Sequence, residues 1–146
     1  MTKTRIAIQC AVPITDPLDL DILKATLQGV LSDQDVEGSV TLVLTDNTTL
    51  CRLNRDFRGI DSPTDVISFN LKDPVHPAET EIGEIYISLD RAKVQAQHAH
   101  RPFQEEVVHL AIHGVLHLLG YDHDTDAAYR CMQRQESCYL ARINSV

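Results

Sequence analysis

Residues 113 to 123 read HGVLHLLGYDH. His113 and His117 stand four apart, Gly120 follows three residues later, and His123 three after that. Residues i and i+4 of a helix project from one face, one turn apart, so His113 and His117 can grip a single ion from the same side. A straight helix cannot bring His123 to that point. Gly120 can, because glycine adopts positive φ at little cost, ends the helix and turns the chain back. Three neutral imidazoles with one position left open form the donor set of a catalytic zinc site; a structural site is usually closed by four protein ligands, often with cysteine among them. The spacing therefore predicts one Zn2+ per chain on His113, His117 and His123. Imidazole also suits nickel, copper and iron, so zinc is a preference of chemistry rather than of spacing.

One residue departs from the zinc-protease helix that this pattern otherwise outlines. Where the protease carries its general base, Glu, this chain has Gly114. A zinc ion lowers the pKa of water to roughly 7, so hydroxide is available at neutral pH without a strong base. Peptide hydrolysis also needs a proton delivered to a poor amine leaving group. Phosphodiester cleavage needs less of that; it needs an activated nucleophile and cationic stabilisation of phosphoryl oxygens. Losing the Glu moves the expectation from a protease toward another metal-assisted hydrolysis. A peptidase would have to recruit Asp122, or an acid from elsewhere. His109 lies one turn before His113 on the same face; with three ligands already supplied, it is expected either to support those ligands or to face and bind substrate, not to hold the metal. His76, His98 and His100 stand in ordinary polar contexts and are expected at the surface.

A second constellation is CRLNRDFRG, residues 51 to 59. Arg52, Arg55 and Arg58 follow at i+3 steps, and on a helix they fall within an arc of about 120°. The chain has 13 Lys and Arg against 21 Asp and Glu, a net charge of −8, so it is no generic polyanion binder and any nucleic acid must meet a local basic stripe. Arg58, at the helix end beside the turn DSPTD, is placed to clamp a phosphate bidentately. Arg58 and His113 are the expected catalytic residues; Arg58, Arg55 and His109 are the expected substrate contacts.

The elements that must hold these residues follow from periodicity and capping. Arg5 to Val12 reads as a strand, and Pro17 to about Ser32 as an amphipathic helix with Asp16 as N-cap. SVTLVLTD is a strand. Asp46 or Asn47 can cap a helix that stops near Gly59. Val66 to Phe69 is a short strand, LKDPVHPAETE a surface loop, and IGEIYISLD another strand. Leu89 to about His100 is a helix. A second begins with Pro102 in its first turn and ends at Gly120, and a third is capped by Thr125 and reaches about Ile143. The order βαβαββααα predicts an α+β fold: one small mixed sheet of about four strands packed with about five helices, the metal site on a helix of the C-terminal half.

Bulk properties agree with a single domain over residues 1–146. Such a chain buries roughly two-thirds of its unfolded surface and needs no disulfides. Cys10, Cys51, Cys131 and Cys138 form no C-x-x-C pair and are expected to be reduced and largely buried. No apolar run approaches the ~20 residues of a membrane span, and no signal-peptide pattern opens the chain, so a cytoplasmic protein with no membrane partner is expected.

Three blocks together resemble the YbeY family of bacterial rRNA maturation factors. They are N-x-x-F-R-G-x-D-x-P-T-D-V-I-S-F (Asn54 to Phe69), I-G-E-I-Y-I-S (Ile82 to Ser88) and H-x-x-x-H-G-V-L-H-L-L-G-Y-D-H (His109 to His123). They stand in the family's order and spacing, and Glu84 takes a place where the family often has Asp. The resemblance implies a single-domain metalloprotein that cuts single-stranded RNA, matures the 3′ end of small-subunit rRNA and serves ribosome quality control. It implies the small ribosomal subunit, and a ribosomal protein, as partners. His113, His117 and His123 match the family's metal ligands, and Arg58 its functionally important arginine. Besides a peptidase, the other alternative is a non-catalytic ribosome-assembly protein whose metal holds the fold.

Overall fold

The computed structural model describes residues 4–62, 64–71, 81–121 and 125–144. In chain order the elements are β1 (Thr4–Cys10), α1 (Leu20–Asp33), β2 (Gly38–Thr45), α2 (Asn47–Arg58), β3 (Val66–Asn70), β4 (Glu81–Ser88), α3 (Leu89–Ala99), α4 (Phe103–Leu118) and α5 (Asp126–Asn144). The α+β expectation holds, with four strands and five helices among the described residues. The strands lie in the order β1-β2-β4-β3. β1 and β4 both run parallel to β2, and β3 runs antiparallel to β4, leaving β3 at the edge. Loop LKDPVHPAETE falls mostly outside the described residues.

Side chains alternate across the sheet with period two, and this decides which helix covers which face. Val40, Leu42 and Leu44 of β2 and Ile85 and Ile87 of β4 belong to one buried cluster with Leu23 and Leu27 of α1 and Ile112 and Leu116 of α4. Tyr86 points to the other face, where α2 lies. There Phe57 of α2 meets Phe69 edge-on at 5.2 Å, and Phe69 meets Tyr86 at 5.7 Å. The histidine helix and the arginine helix thus cover opposite faces of one sheet.

Helix α4 runs close against the sheet because of Gly114. A Cβ at this position would stand 2.7 Å from Ile85 Cγ2 and 3.1 Å from Ser68 Oγ. That same Ser68 hydroxyl donates to the Gly114 carbonyl at 3.0 Å. Position 114 therefore faces the sheet, and a Glu in the protease manner has no room. Gly114→Ala is expected to lower stability by about 1–3 kcal/mol through overpacking, despite alanine's better helix propensity. Urea denaturation checks this; a stability at or above wild type would contradict the contact.

Two local expectations are corrected. Helix α1 starts at Leu20, not Pro17, because Asp19 is the cap: its carboxylate accepts from the Asp21 and Ile22 amides. Asp16 instead pairs with Lys93 at 3.5 Å. The cysteines are free but not largely buried: Cys10 and Cys138 are exposed, and Cys51 and Cys131 half-buried. Helix α5 packs through Met132, Glu136 and Tyr139, so Cys131 and Cys138 sit off its buried face.

Candidate active site

Helix α4 carries His109, His113 and His117 at successive turns. The His113 and His117 rings meet edge to face, centroids 4.7 Å apart. The helix closes as the glycine requires: Gly120 has φ 98°, its amide donates to the His117 carbonyl at 3.1 Å, and the Tyr121 amide to that of Leu116 at 3.0 Å. These bonds satisfy the last carbonyls and turn the chain out of the helix. His123 lies outside the described residues.

Arg58 arrives from the opposite face. It ends α2, whose N-cap is Asp46 and whose last turn is closed by Gly59 at φ 69°. Buried Asn54 then donates from Nδ2 to the Ser62 carbonyl at 2.8 Å, tying the following loop back to the helix. The loop's other end is held by β4, where the Ser88 amide donates to the Asp65 carbonyl at 2.9 Å. Around the edge strand β3 these parts converge. Arg58, Asp65, Ser68, His113, His117 and Tyr129 all line one cleft of about 590 Å³. Among the described residues Arg58 makes no ion pair, so its charge has no acidic partner there. Arg55 is exposed, binds Asp56 at 3.3 Å and does not line this cleft. His98 and His100 are exposed, and His76 lies outside the described residues.

Glu136 of α5 was not singled out by sequence reasoning, and it organises the histidine face. Only 9% exposed, it reaches α4 with both oxygens. Oε1 accepts from His113 Nδ1 and Oε2 from His109 Nε2, the latter at 3.1 Å. Glu106, also buried, stands 3.5 Å from His109 Nδ1 and 3.8 Å from Arg101. The only signal in the sequence was a carboxylate on a predicted helix face, which by itself reads as solvated. Asp65 was read only as part of a turn; it is the carboxylate lining the Arg58 cleft among the described residues, its Oδ2 held by Gln95 Nε2 at 3.1 Å.

These contacts set two protonation states. Glu106 first, then Glu136, raise the His109 imidazolium pKa to about 9, against burial, which lowers it. Burial pushes Glu136 up, but His109 and His113 together hold it down to about 2. The two shifts report one shared bridge and are counted once. In metal-free protein its stabilisation is complete between the unfolded values of 4.5 for Glu and 6.5 for His. It fades below pH 4.5 as Glu136 takes a proton on the way to pH 2, and above pH 6.5 as His109 loses one on the way to pH 9. The stability gap between wild type and Glu136→Gln, measured in chelator, is expected to peak in that window at about 2 kcal/mol, since the partly exposed His109 end of the bridge is screened by solvent. A gap independent of pH from 3 to 9 would contradict the bridge.

The donor set fits a zinc ion. Two imidazoles one turn apart share a cleft. The Nδ1 of His113 is committed to a carboxylate, the contact that fixes tautomer and ring orientation in metal-binding histidines, so a ligand role falls to Nε2. Among the described residues no group of three or more His, Cys, Asp or Glu surrounds one point; the third imidazole expected is His123.

Comparison with known proteins covers nearly the whole chain. Residues 15–144 match the family model described as Endoribonuclease YbeY. The Endoribonuclease YbeY of Desulfitobacterium hafniense (strain Y51) is 41% identical over 137 residues, 89% of this chain and 85% of that protein. That of Moorella thermoacetica (strain ATCC 39073 / JCM 9320) is 39% identical over 145 residues, 92% of each chain. The solution structure of TM1509 from Thermotoga maritima superposes with a TM-score of 0.65 at 30% identity, covering 92% of this chain and 86% of that one.

Proposed function

The chain belongs to the Endoribonuclease YbeY family, and from that premise we propose that it is a zinc-dependent endoribonuclease cutting single-stranded RNA. Its proposed task is maturation of the 3′ end of small-subunit rRNA and ribosome quality control, as one domain in the cytoplasm, with the small ribosomal subunit and a ribosomal protein as partners. The observation that supports this reading most is the meeting of Arg58 with His113 and His117 in one cleft, from elements on opposite faces of the sheet. No helix among the described residues is long and apolar enough to cross a membrane.

In this reading His113, His117 and His123 hold one Zn2+. Bound there, zinc would supply a nucleophile active at neutral pH and Lewis-acid stabilisation of a phosphoryl oxygen. The chain's own residues do the rest. Arg58 donates to the non-bridging phosphate oxygens and offsets the charge that grows on them in the transition state. Asp65, the carboxylate lining the same cleft among the described residues, is proposed to accept a proton from the attacking group. Glu136 keeps the His113 ring turned by accepting from Nδ1, and His109 holds the second oxygen of that carboxylate. His109 faces the neighbouring cleft, so it acts on the substrate's flank rather than at the scissile bond. The peptidase alternative finds no support at position 114, where a side chain would meet Ile85.

The test is purified protein on a labelled single-stranded oligoribonucleotide, with chelator and with zinc restored. Cleavage is expected to stop in chelator, return with zinc, and stay absent in His117→Ala. Equal cutting by wild type and His117→Ala would assign the activity to a contaminant. Zinc-dependent digestion of a peptide library without RNA cleavage would assign the site to another hydrolase.

A further inference from the structure

A second cleft, of about 820 Å³, opens on the other side of His113. It shares Asp65, His113 and Tyr129 with the Arg58 cleft, so the two are confluent at the histidine. A strand whose scissile phosphate lies at Arg58 and His113 must leave that point in some direction, and this cleft offers an open continuation among the described residues.

The lining of the second cleft is sorted by charge. Its acids are matched: Glu136 by His109 and His113, Glu106 by His109 and Arg101, and Asp65 accepts from Gln95. Two cations remain. Arg130 and Arg134 are exposed on α5 and make no ion pair among the described residues. They stand four residues apart, hence on one helix face and about 6 Å apart along its axis, close to the step between phosphates of an extended strand. In a chain of net charge −8, a pair of adjacent guanidiniums beside the site, without an acidic partner among the described residues, is a local exception. Tyr129 stands where the clefts join, 48% exposed, with its hydroxyl accepting from Gln133 Nε2 at 2.9 Å. An exposed ring held at a charged groove is a platform for an unpaired base.

We propose that the second cleft binds the nucleotides on one side of the cut, with Arg130 and Arg134 on successive phosphates and Tyr129 stacked on a base at the junction. This rests on the single-strand endoribonuclease reading above. It makes the enzyme prefer strands long enough to span both clefts, and gives it a reason to reject duplex, whose bases are not available to stack.

The experiment separates the two claims. Cleavage of a single-stranded dodecamer is followed over substrate and salt concentration, and binding of the same strand, kept from cutting by chelator, is read by fluorescence anisotropy. For the double variant Arg130→Ala/Arg134→Ala, KM and Kd are expected to rise about tenfold with kcat retained, and the slope of log K against log salt to shrink by about 1.4, since each phosphate contact on a single strand contributes about 0.7. Arg130→Lys/Arg134→Lys is expected to keep the slope. Tyr129→Ala is expected to weaken binding about tenfold while Tyr129→Phe does not, because the ring and not the hydroxyl stacks. The control Arg5→Ala/Lys24→Ala removes the same charge from exposed positions on β1 and α1, away from the clefts. Wild-type KM, Kd and slope in the arginine and Tyr129→Ala variants would overturn the proposal, as would an equal loss in the control. A wild-type protein that binds the strand through these residues but, with zinc restored, cuts no RNA would overturn the nuclease reading and leave the subsite standing.

Discussion

Arg58→Ala is expected to lower kcat on single-stranded RNA by about 100- to 1,000-fold, the range seen when one preorganised donor to a developing oxyanion is removed. The fold should not change with it. Arg58 sits at the end of α2, makes no ion pair among the described residues and takes no part in the buried cluster. The loss should fall on kcat more than on KM, because the guanidinium matters most when charge builds on the phosphoryl oxygens. Arg58→Lys should recover only part of it, since an ammonium keeps the charge but not the planar pair of donors. Steady-state kinetics with far-UV circular dichroism as a control decides the matter. A loss confined to KM would make Arg58 an ordinary binding residue.

Glu136→Ala is expected to cost more in stability than any exposed substitution, on the order of 3 kcal/mol, because it strips one of two carboxylate partners from a half-buried imidazolium and leaves His113 Nδ1 without its acceptor. It should also weaken zinc binding about 10- to 100-fold by releasing the Nδ1 of His113. The two effects have different readouts: thermal denaturation in chelator for the first, competition with a chromophoric zinc chelator for the second. Glu136→Gln keeps the shape and one acceptor but not the charge, and should fall between wild type and alanine in both. Unchanged zinc affinity in both variants would reduce Glu136 to a fold residue.

The architecture was legible because its periodicities are strong. The apolar positions of α1 and α4 repeat at helical spacing, and Asp46, Gly59, Gly120 and Thr125 mark helix ends by chemistry that survives in the structure. The start of α1 was misplaced because two aspartates near Pro17 can both cap; in the fold Asp16 pairs with Lys93, while Asp19, its amide donating to Gln104 Oε1 at 2.9 Å, takes the cap. The candidate ligand pair and Arg58 were legible because each lies inside a dense local motif. Glu136 and Asp65 were not, because what defines them is the partner each meets across the fold. A lone Glu on α5 carries no mark in the sequence that it will be buried between two histidines. The meeting of Arg58 with His113 was likewise out of reach, since it depends on β3 taking the edge of the sheet.

Gly114 began as an omission, a carboxylate not where a protease would keep it. Its close seat on Ile85 gives that omission a positive meaning. The bare backbone sets how low the histidine helix rides, and so how far two imidazoles stand from an arginine that reaches them around the sheet's rim. A bulkier residue would act like a shim beneath a bearing: the parts would all be present, but the gap between them would change.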